Sequence, residues 1–245
     1  MNAATIRLAA RILPADALPG ETVERMYAVY AAHYDACDPA RFRTDLAAKD
    51  YVILLEDAAG LRGFSTAAHY RFPAAGGPVA VLFSGDTVID RHVWGQQALS
   101  RSFARLAGAL HAREQATPLY WLLISKGHRT YRYLKVFARR FFPHPDGDDG
   151  DLAGLAREFA AARFGADYDP RAGVVAFAQS QGHLKAELAD VPARAAGRAE
   201  VAFFLERNPG YRIGHELVCV TPLAPDNLRA LVRDEFERGM RHGLA

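Results

Sequence analysis

Apolar and polar positions change period several times along this chain, and each change marks an element. Between residues 20 and 46 the period is helical. Val23, Met26, Tyr27, Tyr30 and Tyr34 share one face of a helix that follows Gly20. Asp38-Pro39 opens a second helix, cap oxygen first and proline in the first turn, with Phe42 and Leu46 facing inward. Residues 1–19 read as a short strand or a loose arm. From Tyr51 onward the reading changes to strands. Residues 51–56, 61–70 and 79–89 are separated by the turn Asp57-Ala58-Ala59-Gly60 and by the Pro/Gly-rich piece 72–78. Three consecutive antiparallel strands are expected there.

The stretch 79–110 organises the rest. A strand ends in the polar link 90–97, which contains Gly95, and a helix over 97–112 follows with Leu99, Phe103, Leu106 and Leu110 at helical spacing. A helix entered from a tight loop aims free N–H groups and a positive dipole end forward, which makes an anion site. The continuous apolar run 118–125 (PLYWLLIS) predicts a fully buried strand, broken at Gly127. Residues 128–142 read as a helix with Tyr133, Val136, Phe137 and Phe141 on one side. The loop 143–150 is the expected boundary between a core of residues 1–145 and a C-terminal extension of residues 146–245. In the extension, 152–164 is helical, 174–178 a strand, 193–207 a helix, 208–210 a turn, 216–221 a strand and 227–240 an amphipathic helix. There is no internal repeat.

Composition narrows the class. Half of the 245 residues are hydrophobic, and the formal net charge is +2, which argues against a nucleic-acid partner. Cys37 and Cys219 make neither a disulfide framework nor a metal-ligand spacing, so no metal is expected. No run approaches the roughly 20 apolar residues of a membrane span. Arg7 and Arg11 interrupt the apolar N-terminus, so no signal-peptide core is read there and a cytoplasmic location is expected.

Two helices, three antiparallel strands, a helix, a buried strand and another helix, over residues 20–143, resemble the GNAT acyl-CoA N-acyltransferase superfamily. The runs FSGDTVIDRHVWGQQAL and LISKGHRTYRYL resemble a bacterial GNAT-like subgroup. The resemblance implies an α/β (α+β) fold: a mixed, mostly antiparallel twisted sheet flanked by helices, with the C-terminal extension completing it. It also implies that the 79–89 strand splays from the 119–125 strand, and that acyl-CoA, by default acetyl-CoA, lies in the gap as co-substrate. Its pyrophosphate would sit on the loop Arg91, His92, Trp94, Gly95, Gln96 and Gln97, and its arm against the backbone of Val88 and Ile89. The family's loop pattern begins with Gln or Arg and ends with Gly or Ala. Here those slots hold His92 and Gln97, with Arg91 one place early.

Acyl transfer to an amine or hydroxyl needs a base, an oxyanion donor and an acid. Asp86 is the candidate base, since a carboxylate in an otherwise apolar strand is costly unless paired or functional. The alternative is a bulge over Ser84-Gly85-Asp86-Thr87, with Asp86 bonding backbone. Gly85 suits either. Tyr133 is the candidate acid by family resemblance, seven positions after Lys126; the alternative is a core aromatic. His128 is a second candidate base. Lys126, His128, Arg129, Arg132, Lys135, Arg139 and Arg140 form one basic cluster. Lys126 and Arg129 would hold cofactor phosphates, the cluster would dock an acyl carrier protein, or it is a solvated face. Around residues 203–222, Arg207, Asn208, Tyr211, Arg212, His215 and Glu216 would cover the pocket of a small-molecule acceptor, or form a surface connection. A carrier-protein-dependent synthase and a non-catalytic binding module remain alternatives, and a homodimer is an open assembly.

Overall fold

The computed structural model describes residues 8–115, 117–147 and 149–244; most of the N-terminal arm, residues 1–7, lies outside the described residues. The main sheet runs from β1 (Ala9–Pro14) through β2 (Tyr51–Asp57), β3 (Gly60–Ala74), β4 (Gly77–Ile89) and β5 (Leu119–Ser125) to β6 (Glu216–Pro222). The two-residue strands Val174–Val175 and Tyr168–Asp169 finish its far edge. Neighbours are antiparallel except β4 and β5, which are parallel. A parallel neighbour needs a crossover, and the helix between these strands supplies it.

Helices cover both faces. α1 (Gly20–His33), α2 (Pro39–Ala47) and α5 (Gly150–Phe164) lie on one. α3 (Ala98–Glu114), α4 (His128–Phe137), α6 (Ala199–Arg207) and α7 (Ala230–His242) lie on the other. Alternation along the strands assigns the layers. Val52, Leu54 and Phe64 meet Met26, Tyr30 and Phe42. Val81 and Phe83 meet Leu152 and Phe159. Ile53, Leu55, Leu82 and Trp121 meet Phe103, Phe137 and Phe236. With both faces covered, the central strands are continuous apolar runs. Each buried Leu or Phe contributes about 1.5–3 kcal/mol.

α3 and α7 cross backbone against backbone. A Cβ on Gly108 would sit 1.9 Å from the Phe236 carbonyl oxygen, and one on Gly239 would sit 2.1 Å from that of Arg105. The Arg105–Glu235 ion pair, 2.8 Å, flanks the crossing.

The structure departs from the sequence reading in the second half. The helix expected over 128–142 ends at Phe137, because Ala138 turns extended and bridges Leu228 while Phe142 bridges Val220. The inward face of α4 is Tyr131, Leu134 and Phe137; Val136 is 42% exposed. The helix expected over 193–207 divides at Gly197 into Ala193–Ala196 and α6. The strand expected over 174–178 is two residues long.

Candidate active site

β4 carries a bulge where the sequence places Asp86. Ser65 pairs with Thr87 and Ala67 with Ser84, so Gly85 and Asp86 together oppose Thr66. Gly85 leaves room there: a Cβ would lie 2.6 Å from both Thr66 Oγ1 and Lys49 Cε, so those side chains would have to shift. Pairing between β4 and β5 stops just before the bulge, at Ser84 and Leu123, although both strands continue. The Trp121 indole donates to Ser84 Oγ at 2.8 Å and fixes this last step. The Asp90 N–H donates to the Arg62 carbonyl at 2.7 Å. Strand alternation then points the N–H of Val88 at β3 and turns the backbone of Thr87 and Ile89 into the gap.

The gap opens into a cleft of about 1200 Å³. Its first wall is formed by Trp94, Gly95, Gln96, Gln97 and Ser100, with Arg129 and Tyr133 from α4. Gly95 has φ +90°, a backbone setting that favours glycine. Arg91–Val93 is a single 3-10 turn closed by Asp90, whose carboxylate accepts from the His92 N–H at 3.0 Å. That turn leaves Arg91 and His92 exposed and outside the lining. Gln96 Oε1 accepts from the Leu8 N–H at 3.2 Å. The Trp94 indole donates to the Ile89 carbonyl at 2.8 Å, and the Arg129 guanidinium sits 4.5 Å from its ring. Arg129 also donates to the Leu188 carbonyl at 2.7 Å. Trp94 and Arg129 thus bridge the loops that leave the two diverging strands.

Beside this wall lies a recess of about 30 Å³ whose surface is almost wholly apolar, lined by Leu99, Phe103, Trp121, Leu123 and Phe137 together with serine, threonine and tyrosine side chains, Tyr133 among them. Tyr133 belongs to both recess and cleft. It makes no hydrogen bond among the described residues, and burial raises its pKa.

The second wall is ionic and aromatic. Tyr30 and Tyr34, one helical turn apart, stack with centroids 4.5 Å apart. Lys126 Nζ lies 3.4 Å from Glu216 Oε1, donates to the Gln181 carbonyl at 3.1 Å and sits 5.3 Å from the Tyr34 ring. Lys126 is 8% and Glu216 6% exposed. Burial pushes Glu216 up to about 7, with Lys126 opposing and Asp86 adding. Burial likewise raises Asp86; Lys126 and Lys49 oppose this and Asp45 adds. Asp86 accepts no hydrogen bond among the described residues. His128 lines the same cleft, but burial, then Arg129 and Arg132, lower it to about 4. Its imidazole is neutral at working pH and weakly basic.

No protein-family model matches the chain, and no curated protein matches it. Among solved structures, a conserved Enterococcus faecalis V583 protein titled a probable N-acyltransferase is 14% identical, with TM-score 0.41, over 55% of this chain and 33% of that one. The match therefore spans about a third of that protein's length. Escherichia coli YhbS, a GNAT family N-acetyltransferase solved with CoA, is 14% identical, with TM-score 0.37, over 54% of this chain and 69% of its own. A GCN5-related N-acetyltransferase from Kribbella flavida is 16% identical, with TM-score 0.37, over 58% and 36%. The strand order, with its single parallel step and the divergence beyond it, is this chain's own observation. The fold is a mixed, mostly antiparallel sheet with one parallel step, covered by helices on both faces.

The cleft gathers Asp86, Val88, Ile89, Trp94, Gly95, Gln96, Gln97, Lys126, His128, Arg129 and Tyr133 into its lining. The basic cluster does not act as one surface. Lys126 is buried against Glu216, Arg132 and Lys135 share Glu200 at 3.5 and 3.4 Å, and Arg140 pairs with Asp149. Of the residues grouped around 203–222, Glu216 reaches the cleft. Asn208 and Tyr211 are buried, and the Asn208 amide donates to the His215 carbonyl at 2.8 Å. Sequence reasoning missed Tyr30, Tyr34, Asp45, Lys49 and Arg163. The available signal for the tyrosines was their i,i+4 spacing. Among the described residues no helix is long and apolar enough to cross a membrane, and no cluster of His, Cys, Asp or Glu could hold a metal ion.

Proposed function

We propose that this protein transfers an acyl group, acetyl by default, from acyl-CoA to the amine of a small molecule. The observation that carries the reading is the end of β4–β5 pairing at Ser84/Leu123, which turns the Thr87 and Ile89 backbone into the cleft. Unpaired strand groups inside a cleft suit an amide-bearing pantetheine arm, because buried N–H and C=O groups require partners. Gly95, Gln96 and Gln97 with the first turn of α3 would hold the diphosphate, and Arg129 would add charge. Bound there, acyl-CoA supplies a thioester whose C–S bond breaks as the acceptor's C–N bond forms. Asp86 takes the proton leaving the amine nitrogen, and its raised pKa brings it nearer that task. Tyr133 gives its hydroxyl proton to the departing sulfur from the opposite side of the gap.

Titration calorimetry with CoA, acetyl-CoA and a medium-chain acyl-CoA tests the reading. Micromolar binding, with a rise in melting temperature, is expected. Absence of binding by all three overturns it.

A further inference from the structure

Arg163, in the last turn of α5, sits over Phe83, its guanidinium carbon 3.9 Å from the ring centroid and 5.6 Å from that of Tyr70, whose hydroxyl it also engages. It lines the cleft, and no carboxylate among the described residues lies within ion-pair distance of it. Phe164 meets Phe83 edge-on at 6.0 Å and Phe177 at 6.1 Å, so three aromatic rings surround the guanidinium's side of the cleft. Three residues further along β4 stands Asp86, with Glu216 beyond it. At about 3.3 Å per strand residue, roughly 10 Å at most separates the Phe83 and Asp86 positions.

These observations make an ordered sequence of chemistries along one wall: a stacked cation, an apolar aromatic patch, then two acids. A stacked guanidinium recognises a planar carboxylate through two parallel hydrogen bonds, and the stacking fixes its plane. Carboxylates facing the same cavity attract an ammonium group. We infer that this arm of the cleft takes an amino acid in the broad sense, an amine and a carboxylate joined by an apolar or aromatic body. The carboxylate meets Arg163, the body lies on Phe83, Phe164 and Phe177, and the amine points to Asp86, Glu216 being paired with Lys126. As an assignment of the acceptor, this rests on the acyl-transfer reading. As a binding site it stands alone.

The test is calorimetric binding to the full chain of two matched pairs: 4-(aminomethyl)benzoate against benzylamine, and phenylalanine against phenethylamine. Within each pair the carboxylate is the difference. In at least one pair the carboxylate-bearing amine should bind about ten-fold tighter or more. Arg163→Gln should abolish that advantage while leaving the plain amine unchanged, and Arg163→Lys should keep part of it. Arg163 is half-buried, so both variants should fold, which a thermal melt verifies. No advantage in either pair, or an advantage that survives Arg163→Gln, overturns the inference. Acetyl-CoA binding is measured separately. If it fails while the Arg163-dependent preference holds, the acyl-transfer reading falls and this site stands; the reverse pattern removes this site alone.

Discussion

The two walls of the cleft are built on different principles. The loop wall is local: Trp94, Gly95, Gln96, Gln97 and Ser100 lie close together in sequence, and their positions come from one turn and one helix start. Apart from Arg129 it is uncharged, and the recess beside it is mostly apolar. The opposite wall is remote in sequence. Tyr30, Asp86, Lys126, Arg163 and Glu216 come from five elements or their connections, and its chemistry is ionic in a setting where burial shifts protons. A local wall presents backbone and a shape, so it suits an invariant handle. A remote wall presents side-chain charge, so it can be retuned residue by residue.

The largest test of that contrast is at the reacting groups. Asp86→Asn and Tyr133→Phe should each lower turnover by roughly 10²-fold or more, since each removes a positioned proton transfer. Donor affinity should barely change. The acidic limb of the pH profile should vanish in the Asn variant. A variant that folds and turns over normally removes its residue from the chemistry.

Next comes stability on the ionic wall. Glu216 is raised from its ordinary 4.5 to about 7, so between those values the native state keeps a proton that the unfolded chain releases. The contribution of Glu216 is therefore most favourable below about pH 4.5 and is lost as pH rises to 7. His128, lowered to about 4, slopes the opposite way between 6.5 and 4, so the wild type alone is ambiguous. Denaturant melts of wild type and Glu216→Gln at pH 4.5 and 7.5 isolate Glu216: the difference should grow in the variant's favour at the higher pH. Parallel curves would mean that Glu216 titrates normally.

The smallest effect is expected on the local wall. Gly95→Val meets no neighbour within 4 Å but is strained at φ +90°. CoA affinity should fall about ten-fold, or 1.4 kcal/mol, with the fold intact. Unchanged affinity in the folded variant would remove the loop from donor binding.

The same contrast explains what could be read from the sequence. The meander, the crossover and the strand of residues 118–125 were legible because period and turn residues are local signals. Gly85 inside a strand, beside an acid, marked the bulge for the same reason. The outward turn of Arg91 and His92 was not legible, because it depends on the Asp90 carboxylate closing a 3-10 turn. The early end of α4 was hidden too. Asn227, nearly ninety positions away, accepts from the Arg139 N–H through its carbonyl and from the Arg140 N–H through Oδ1, both at 2.9 Å. Lys126 with Glu216, and Phe83 under Arg163, are likewise pairs that only the closed sheet brings together.

The crossing at Gly108 and Gly239 gives the molecule a fulcrum. Two helices touching through bare backbone cannot slide without a clash, so α3 is clamped there. Its first residue, Ala98, is ten positions away, about 15 Å along the helix axis. Over that arm a tilt of only about 5° would carry the helix entrance, and Gly95–Gln97 with it, by more than 1 Å, a misplacement that can cost an active site much of its rate. The aim of the Gly95–Gln97 loop is therefore set by a joint on the far side of α3, and a methyl group added at Gly239 would act on the cleft without touching it.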